Sequence, residues 1–272
     1  NALNIVQGSD KAAIDWQSFS IGTGKSVNFQ QPSASSVALN RVLGNDVSVI
    51  QGAINANGQV FLVNQNGVLF TPTAQVNVGG IVASTQNIST EDFMAGNYQF
   101  SGSSTATVEN QGGINAATGG YVALIAAKII NSGSLVADQG TVGLAAGKTV
   151  VVDLGGPVKI QVTEGALNTA ITQSGGIRAD GGLVYLTAKA AGDLASSVIN
   201  HTGVTRARTL ASNQKGEIIL LADMAVGTTQ VAGTLDASAP DAGDGGFIET
   251  SGAKVKVADS AKITTKSGQG QS

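Results

Sequence analysis

The sequence contains no cysteine, which excludes disulfide bonds and thiolate metal sites. It also contains only one histidine, His201, which is too few for a classical zinc centre. Aromatic residues make up only 4% of the 272 residues, so the core must be built from Val, Ile, Leu and Ala. No apolar run reaches the roughly 18 residues that a transmembrane helix needs.

Charge is also scarce, because charged residues make up 12% of the chain and the formal net charge is −3. The 15 basic and 18 acidic residues are spread thinly, so no basic patch marks a nucleic-acid or anionic-membrane surface. We expect no nucleic-acid partner, no cofactor and no metal ion. The residues after Asn1 lack a charged and apolar leader pattern, so we expect the signal peptide to be absent from this sequence.

Glycine is abundant instead, and many of the 37 glycines belong to a recurring phrase. The phrase is Gly, a spacer, an aliphatic residue, a spacer and Ala, followed by a Gly-marked turn and Val-x-Leu. The clearest copies cover 113–124 and 133–144, the phrase is repeated at 52–62 and 176–186, and looser copies cover 203–220 and 233–248. A short period of this kind is typical of a solenoid, in which stacked units supply the core that no unit has alone.

Period-two alternation of Val, Ile and Thr predicts strands, and no segment shows sustained helical periodicity. The sequence therefore predicts an all-β solenoid. We expect residues 1–50 to form an N-terminal cap of the same domain, with the bulky Trp16, Phe19 and Phe29 covering the open end. Residues 51–272 would form the coils, with insertions near 86–105, 153–173 and 190–215. The insertion at 86–105 is expected to be an extra-helical hairpin.

Several short motifs follow one another in a specific order within residues 14–85, and one more lies near the C-terminus. They cover 14–21, 40–42, 50–52, 57–68, 83–85 and 245–252. Together they resemble the secretion domain of two-partner secretion exoproteins, the family of filamentous haemagglutinin and the high-molecular-weight adhesins. The family's Asn-Pro-Asn-Gly turn is here Asn64-Gln65-Asn66-Gly67, which loses the fixed φ of proline. We expect the turn to persist, because Asn-Gly suits positive-φ positions.

The resemblance implies a right-handed parallel β-helix with an N-terminal β cap and extra-helical hairpins. It implies an N-terminal domain that targets a large bacterial surface adhesin for secretion and initiates its folding. The partner would be an outer-membrane β-barrel transporter of the TpsB type, acting through its periplasmic POTRA domains. The protein would be monomeric, and would be secreted or held at the cell surface. A host or matrix glycan would be bound, if at all, through the full-length protein.

Five residues are candidates for the signal that the transporter recognises: Asn40, Arg41, Asn64, Asn66 and Gly67. A structural interpretation competes with this one, because the same residues suit a tight turn and a buried asparagine that bonds to backbone amides. The two roles are compatible, since loss of folding and loss of recognition would both abolish secretion. For Arg41 the structural alternative is an ion pair with Asp46.

Asn110, Asn131 and Asn200 each precede the glycine that opens a coil. They fit either a row of ligand-binding residues or an internal ladder that satisfies buried backbone groups, and we favour the ladder. His201, beside Asn200 in a turn, is expected to be exposed to solvent.

Parallel β-helices also include polysaccharide lyases and hydrolases, whose chemistry needs clustered carboxylates. The densest acidic set here is sparse, the pair Glu91-Asp92 would point apart in an extended strand, and we expect no catalytic residue. The densest acidic set consists of Asp236, Asp241, Asp244 and Glu249.

Direct adhesion is the other alternative. Tyr121 and Tyr185 are predicted to point outward and could stack on a sugar, although such tyrosines are more often simple strand formers.

Overall fold

The computed structural model describes residues 1–210 and 214–268. Within them the chain is almost entirely β-structure, with one short helix, α1 (Thr90–Ala95). The strands are β1 (Ala2–Val6), β2 (Lys11–Trp16), β3 (Ser26–Gln30), β4 (Val37–Val42), β5 (Ser48–Ile50), β6 (Ala53–Ala56), β7 (Gln59–Val63), β8 (Val68–Phe70), β9 (Gln75–Ser84), β10 (Gln99–Ser101), β11 (Thr107–Asn110), β12 (Gly113–Ala126), β13 (Lys128–Asn131), β14 (Ser134–Val136), β15 (Thr141–Ala146), β16 (Thr149–Asp153), β17 (Lys159–Glu164), β18 (Asn168–Gln173), β19 (Gly176–Arg178), β20 (Leu183–Ala188), β21 (Ser196–His201), β22 (Val204–Arg206), β23 (Glu217–Ala222), β24 (Thr228–Val231), β25 (Thr234–Asp236), β26 (Phe247–Ser251), β27 (Lys254–Val257) and β28 (Lys262–Thr264).

These strands stack in parallel along three faces, and each full coil contributes one segment to each face. The first face runs through β1, β3, β6, the start of β9, the start of β12, β14, β19, β22, β25 and β28. The second runs through β2, β4, β7, the ends of β9 and β12, β15, β20, β23 and β26. The third is the 8-stranded sheet from β5 to β27. The fold is a parallel β-helix, which confirms the predicted class.

The interior is filled by vertical rows of aliphatic side chains. On the second face, Leu62, Leu124, Leu144, Leu186 and Leu220 occupy one such row and are fully buried. The row follows from alternation, because every second residue of a strand points to the same side. Burial of one such side chain stabilises the fold by about 1.5–3 kcal/mol.

The first 50 residues belong to the same stack. Strand β1 pairs in parallel with β3, and β2 pairs in parallel with β4, so the region predicted as a cap consists of the first coils of the helix. The residues of β1 are mostly exposed at this end of the stack.

Residues 86–105 contain α1 and β10 where the sequence predicts a hairpin. Ser89 caps the N-terminus of α1, where its side chain accepts a hydrogen bond from the Asp92 amide, and Gly96 caps the C-terminus with a φ of 85°. Both ends follow ordinary capping chemistry. Strand β10 then pairs antiparallel with β16. Among the described residues, no helix is both long and apolar enough to span a bilayer.

Within 153–173, β16 and β17 form an antiparallel hairpin outside the coil, whereas β18 returns to the stack. Within 190–215, β21 and β22 are regular coil strands, and residues 211–213 lie outside the described part of the chain. The coils predicted for 51–272 likewise extend past 268, where the description stops.

The insertions cover a second hydrophobic core on the outer side of the second face. Phe61 lies at its centre, with ring centroids 5.8 Å from Phe93, 5.1 Å from Tyr98 and 5.7 Å from Phe100. Strands on this face are therefore apolar on both sides over the first coils. The further members of this core are Val37, Leu39, Val63, Val82, Ile88, Tyr121, Ala123, Ile125, Ala145, Val150, Val152, Ile160 and Val162.

Candidate transporter-recognition region

The turn at residues 64–67 joins the second face to the third. The Gly67 amide donates to the Asn64 carbonyl at 3.1 Å, and the Asn66 amide donates to Asn64 Oδ1 at 2.9 Å. This combines a β-turn with an Asx-turn, for which Asn at the first position and Gly at the fourth are favoured. Gly67 has a φ of 122°, and Asn66 is not among the residues with positive φ. The turn therefore persists without proline, as expected, but only Gly67 needs a positive φ.

The two asparagine side chains of this turn connect it to the preceding coil. Asn64 Nδ2 donates to the Asp46 carbonyl and to Ser48 Oγ, both at 2.9 Å, and Asn64 is fully buried. Asn66 Nδ2 donates to the Gly44 carbonyl at 2.8 Å. All of these bonds lie within the fold, so the turn has a structural role in the folded state.

Asn40 points into the interior at a position that is leucine in most later coils. It is fully buried, and its Oδ1 accepts a hydrogen bond from Trp16 Nε1 at 3.0 Å. Its Nδ2 lies 3.3 Å from the Ala38 carbonyl and 3.4 Å from the Phe61 carbonyl. Asn40 therefore fixes the indole of Trp16 at the N-terminal end of the stack.

The three bulky residues predicted for the cap all lie near this end. Trp16 packs edge-on against Phe19, with ring centroids 5.5 Å apart. Phe19 and Phe29 are buried in the interior core, and Trp16 packs against that core from a partly buried position. Their assignment as a cap stays a prediction.

Arg41 points outward, next to Asn40 on β4. The guanidinium forms a bidentate ion pair with Asp15, in which Nε donates to Oδ1 at 2.8 Å and Nη2 donates to Oδ2 at 2.9 Å. It also donates to the Ile88 carbonyl and to Thr90 Oγ1, both at 3.0 Å. The suggested pair with Asp46 is therefore wrong. Arg41 instead joins β2, β4 and the start of the first insertion.

This link to the insertion is a feature that the sequence reasoning missed. The signals were present, since Ser89 and Asp92 have capping spacing and Val37, Leu39 and Phe61 are apolar at outward positions. Strands that are apolar on both faces indicate a cover on the outer side.

The predicted internal ladder is present, but its third member is Gln173 and not Asn200. Asn110 Nδ2 donates to Asn131 Oδ1 at 2.8 Å, and Asn131 Nδ2 donates to Gln173 Oε1 at 2.7 Å. The next residue in register is His201 and not Asn200, which is only partly buried. Alternation explains the shift, because Ile199 and His201 share the inner side of β21.

His201 is therefore fully buried, and its predicted exposure to solvent is wrong. Its Nε2 lies 2.8 Å from Thr205 Oγ1, and Nδ1 has no partner among the described residues. Burial lowers the pKa of His201 to about 4, so the ring is neutral at pH 7.

The two outward tyrosines differ in their surroundings. Tyr121 lies under the extra-helical cover, where it is buried and donates to Gln59 Oε1 at 2.7 Å. Its ring lies directly over Gly80, where any Cβ atom would clash with it. Burial raises the pKa of the Tyr121 hydroxyl well above its ordinary value. Tyr185 lies partly buried at the margin of the cover. Tyr121 is thus not available to stack on a sugar.

The acidic residues weighed for catalysis are used in local contacts. Asp236 accepts from Arg208 Nε at 2.7 Å, Asp244 pairs with Lys215 at 3.1 Å, and Glu249 accepts from Ser251 at 2.6 Å. Asp241 is exposed. No group of three or more potential metal ligands occurs within residues 1–210 and 214–268.

Comparison with known proteins gives consistent matches. The family model of the TPS secretion domain matches residues 1–236. A heme/hemopexin-binding protein from Haemophilus influenzae is 49% identical over 98 residues, which cover 36% of this chain and 11% of that protein. The protein of the same name from H. influenzae strain Rd is 33% identical over 234 residues, covering 82% of this chain and 25% of the relative. The chain thus spans a quarter or less of these relatives.

The crystal structure of the HMW1 secretion domain from H. influenzae has a similar fold. The TM-score is 0.60, the sequence identity is 22%, and the match covers 96% of this chain and 95% of that one. This family consists of secretion domains of exoproteins and is not a known enzyme family. Exoproteins of this family are secreted or surface-associated through a TpsB transporter. On the family match, this chain belongs to the TPS secretion domain family and is the secretion-targeting domain of a two-partner exoprotein.

Proposed function

We propose that the transporter recognises this domain as an unfolded chain in the periplasm, and that the same motif residues later direct folding outside the cell. The observation that supports this is burial. Asn40 and Asn64 have no exposed surface in the folded coils, and their polar groups bond within the fold. A partner could contact these side chains only before the coils form.

The mode of contact that fits an extended chain is strand addition to an exposed edge of a POTRA domain. Backbone hydrogen bonds supply affinity in such complexes, and alternate side chains supply specificity. The segment 60–63, Val-Phe-Leu-Val, consists of strand-forming residues whose alternate side chains such pockets could hold. In this proposal the domain crosses as a monomer, and the exoprotein binds its host ligand only after secretion, through the full-length protein.

Folding initiation would depend on the contacts that join the first coils. The turn at 64–67 connects to the preceding coil through Asn64 and Asn66, and Arg41 joins the coils to the first insertion. A solenoid that nucleates at one end can add coils in sequence order as the chain emerges. Each coil that folds outside would hinder the chain from sliding back into the transporter.

The test compares folded and unfolded forms of the full 272-residue domain for binding to the periplasmic domain of its transporter. The buried substitution Leu124→Asp places a charge in the interior and supplies an unfolded chain in native buffer, as checked by circular dichroism. We expect Leu124→Asp to bind and the prefolded wild type not to bind. Equal binding by both forms would contradict recognition before folding.

The role of the turn is then tested in the unfolded background. Asn66→Ala is added to Leu124→Asp and compared with the matched control Asn97→Ala, an exposed asparagine in the insertion. Weaker binding by the Asn66 variant alone would assign side-chain recognition to the turn. Equal binding by both would leave Asn66 with the structural role that its hydrogen bonds support.

A further inference from the structure

A column of five asparagines runs up the outer side of the first face. Adjacent members are in register between neighbouring coils, on β1, β3, β6, β9 and β12. Each side-chain amide donates to the carbonyl oxygen of the previous one, at 2.8, 2.9, 3.5 and 3.4 Å in chain order. The members are Asn4, Asn28, Asn55, Asn77 and Asn115, and we call them the outer amide ladder.

The ladder leaves hydrogen-bonding capacity free toward solvent. An asparagine amide has two N–H donors and two lone pairs on its oxygen. In the three central members, the ladder uses one donor and one lone pair, and no other hydrogen bond to these side chains is present among the described residues. All five side chains are exposed or partly buried. Each coil therefore presents one free donor and one free acceptor at a spacing of about 4.8 Å.

The strand segments that carry the ladder contain no charged residue. The five strand segments read ALNIV, SVNFQ, AINA, QVNV and GINA, without any acidic or basic residue. Further along the same column Val136 follows Asn115, and Arg178, Arg206 and Asp236 come next. There the surface carries salt bridges, in which Arg178 pairs with Asp138 at 2.9 Å and Arg206 pairs with Asp180. The first face is thus divided into a neutral half and a charged half.

The dimensions of the neutral half argue against a protein partner. Five coils and two or three outward residues per strand give a face of at most roughly 20 by 14 Å, or about 300 Å². A stable protein interface buries about 800 Å² on each partner, so a second copy of this chain would need much more surface. A chain-like ligand, in contrast, can follow the ladder from coil to coil.

The chemistry of the ladder indicates which chain-like ligand fits. A hydroxyl group donates and accepts at once, which matches the free donor and acceptor of each amide. The lack of charge on the face favours a neutral ligand over a polyanion. We propose that the outer amide ladder binds an extended, uncharged polysaccharide, in addition to the role of the domain in secretion.

The test uses the folded 272-residue domain and three soluble polymers: a neutral glucan, a neutral galactomannan and the polyanion polygalacturonate. Two ladder variants are compared with wild type. The triple substitution Asn28→Val, Asn55→Val and Asn77→Val suits exposed strands, and the triple Asn→Asp version keeps side-chain size while removing every donor. Asn168→Val, at an exposed asparagine on the third face, is the control. Circular dichroism and sedimentation establish that each variant is folded and monomeric.

We expect at least one neutral polymer to bind wild type and the Asn168 control, with roughly tenfold or greater loss in both ladder variants, and no binding of polygalacturonate. Three results would overturn the proposal. They are no binding of either neutral polymer, equal binding by the ladder variants, or wild-type self-association that the ladder variants lack, which would assign the face to a second copy.

Discussion

Asparagine has three distinct roles in this domain, two in the interior and one at the surface. Asn40 and Asn64 are single buried residues that hold a ring and a turn in place. Asn110 and Asn131 form an interior ladder, and Asn110 also bonds to the carbonyl and the amide of Gly112 at the corner of its coil. The outer amide ladder repeats the same geometry in contact with solvent. One residue type thus serves as anchor, interior ladder and exposed surface.

At the residue scale, the missing proline of the turn gives a direct prediction. Gln65 is exposed, and its N–H makes no hydrogen bond among the described residues. Gln65→Pro should stabilise the domain by about 0.4–1 kcal/mol, because proline restricts the unfolded chain and suits the second position of the turn. Urea unfolding would show a higher midpoint at an unchanged slope.

The neighbouring substitution Asn66→Pro is the control for this experiment. It removes the N–H that donates to Asn64 Oδ1 and places proline at the disfavoured third position, so the midpoint should fall. A lower midpoint for Gln65→Pro as well would mean that the backbone at this position does not suit proline.

His201 predicts a pH dependence of stability. Burial lowers its pKa from 6.5 to about 4, so the unfolded chain binds the proton first as the pH falls. The contribution of the neutral ring is fully present above about pH 6.5 and is lost progressively down to about pH 4, where the loss reaches roughly 3 kcal/mol. The measurement is the urea midpoint between pH 7 and 4.

His201→Gln is the matched variant, because glutamine continues the interior ladder from Gln173. It should flatten the pH dependence across this window. Carboxylates with a lowered pKa, such as Asp236 and Glu164, contribute mainly below their ordinary values of 3.8 and 4.5. If the stability of the wild type did not change between pH 6.5 and 4.5, protonation of the His201 ring would not lower the free energy of unfolding.

At the scale of elements, the extra-helical cover determines how the signature residues are arranged. Helix α1, β10 and the hairpin of β16 and β17 bury the outer side of the second face, with Phe61 at the centre. Arg41 is the main polar link between the first coils and this cover. The cover therefore depends on an arginine whose partners lie 26 and 47–49 residues away in sequence.

Arg41→Lys should loosen the first insertion. A lysine ammonium keeps the charge but cannot pair with both Asp15 oxygens while donating to the Ile88 carbonyl. We expect amide exchange in α1 and β10 to rise about tenfold, with little change in the interior coils. Arg178→Lys, on the first face, is the control and should leave α1 unchanged. Equal exchange in wild type and Arg41→Lys would show that apolar packing alone holds the insertion.

The coil strands could be predicted from the sequence, whereas the cover could not. The Gly-marked phrase and period-two alternation locate strands such as β12, β15 and β20, because local backbone chemistry specifies them. The partners of Arg41 and the burial of Tyr121 depend on which insertion folds over which coil. That choice is made by tertiary packing, and no short window of residues contains it. His201 was misplaced for a simpler reason, since a one-residue shift in register exchanges inside and outside.

For the molecule as a whole, the coils are not equally supported. The first coils have an interior core and the outer core under the cover. The last strands have only the interior core, and Phe247, Val257 and Ile263 are 52%, 54% and 46% exposed. In a solenoid each coil contacts only its neighbours, so local stability follows these local differences. The domain should be most stable near its N-terminal half and open first at β26–β28.

Hydrogen exchange of the folded 272-residue domain tests this gradient. We expect the slowest exchange in β7, β9, β12 and β15 and the fastest coil exchange in β26, β27 and β28, because opening of the terminal coils exposes the least apolar surface. Uniform exchange at the rate of global unfolding would instead show one cooperative unit. A gradient in the predicted direction would mean that the N-terminal coils keep their structure while the coils that follow open.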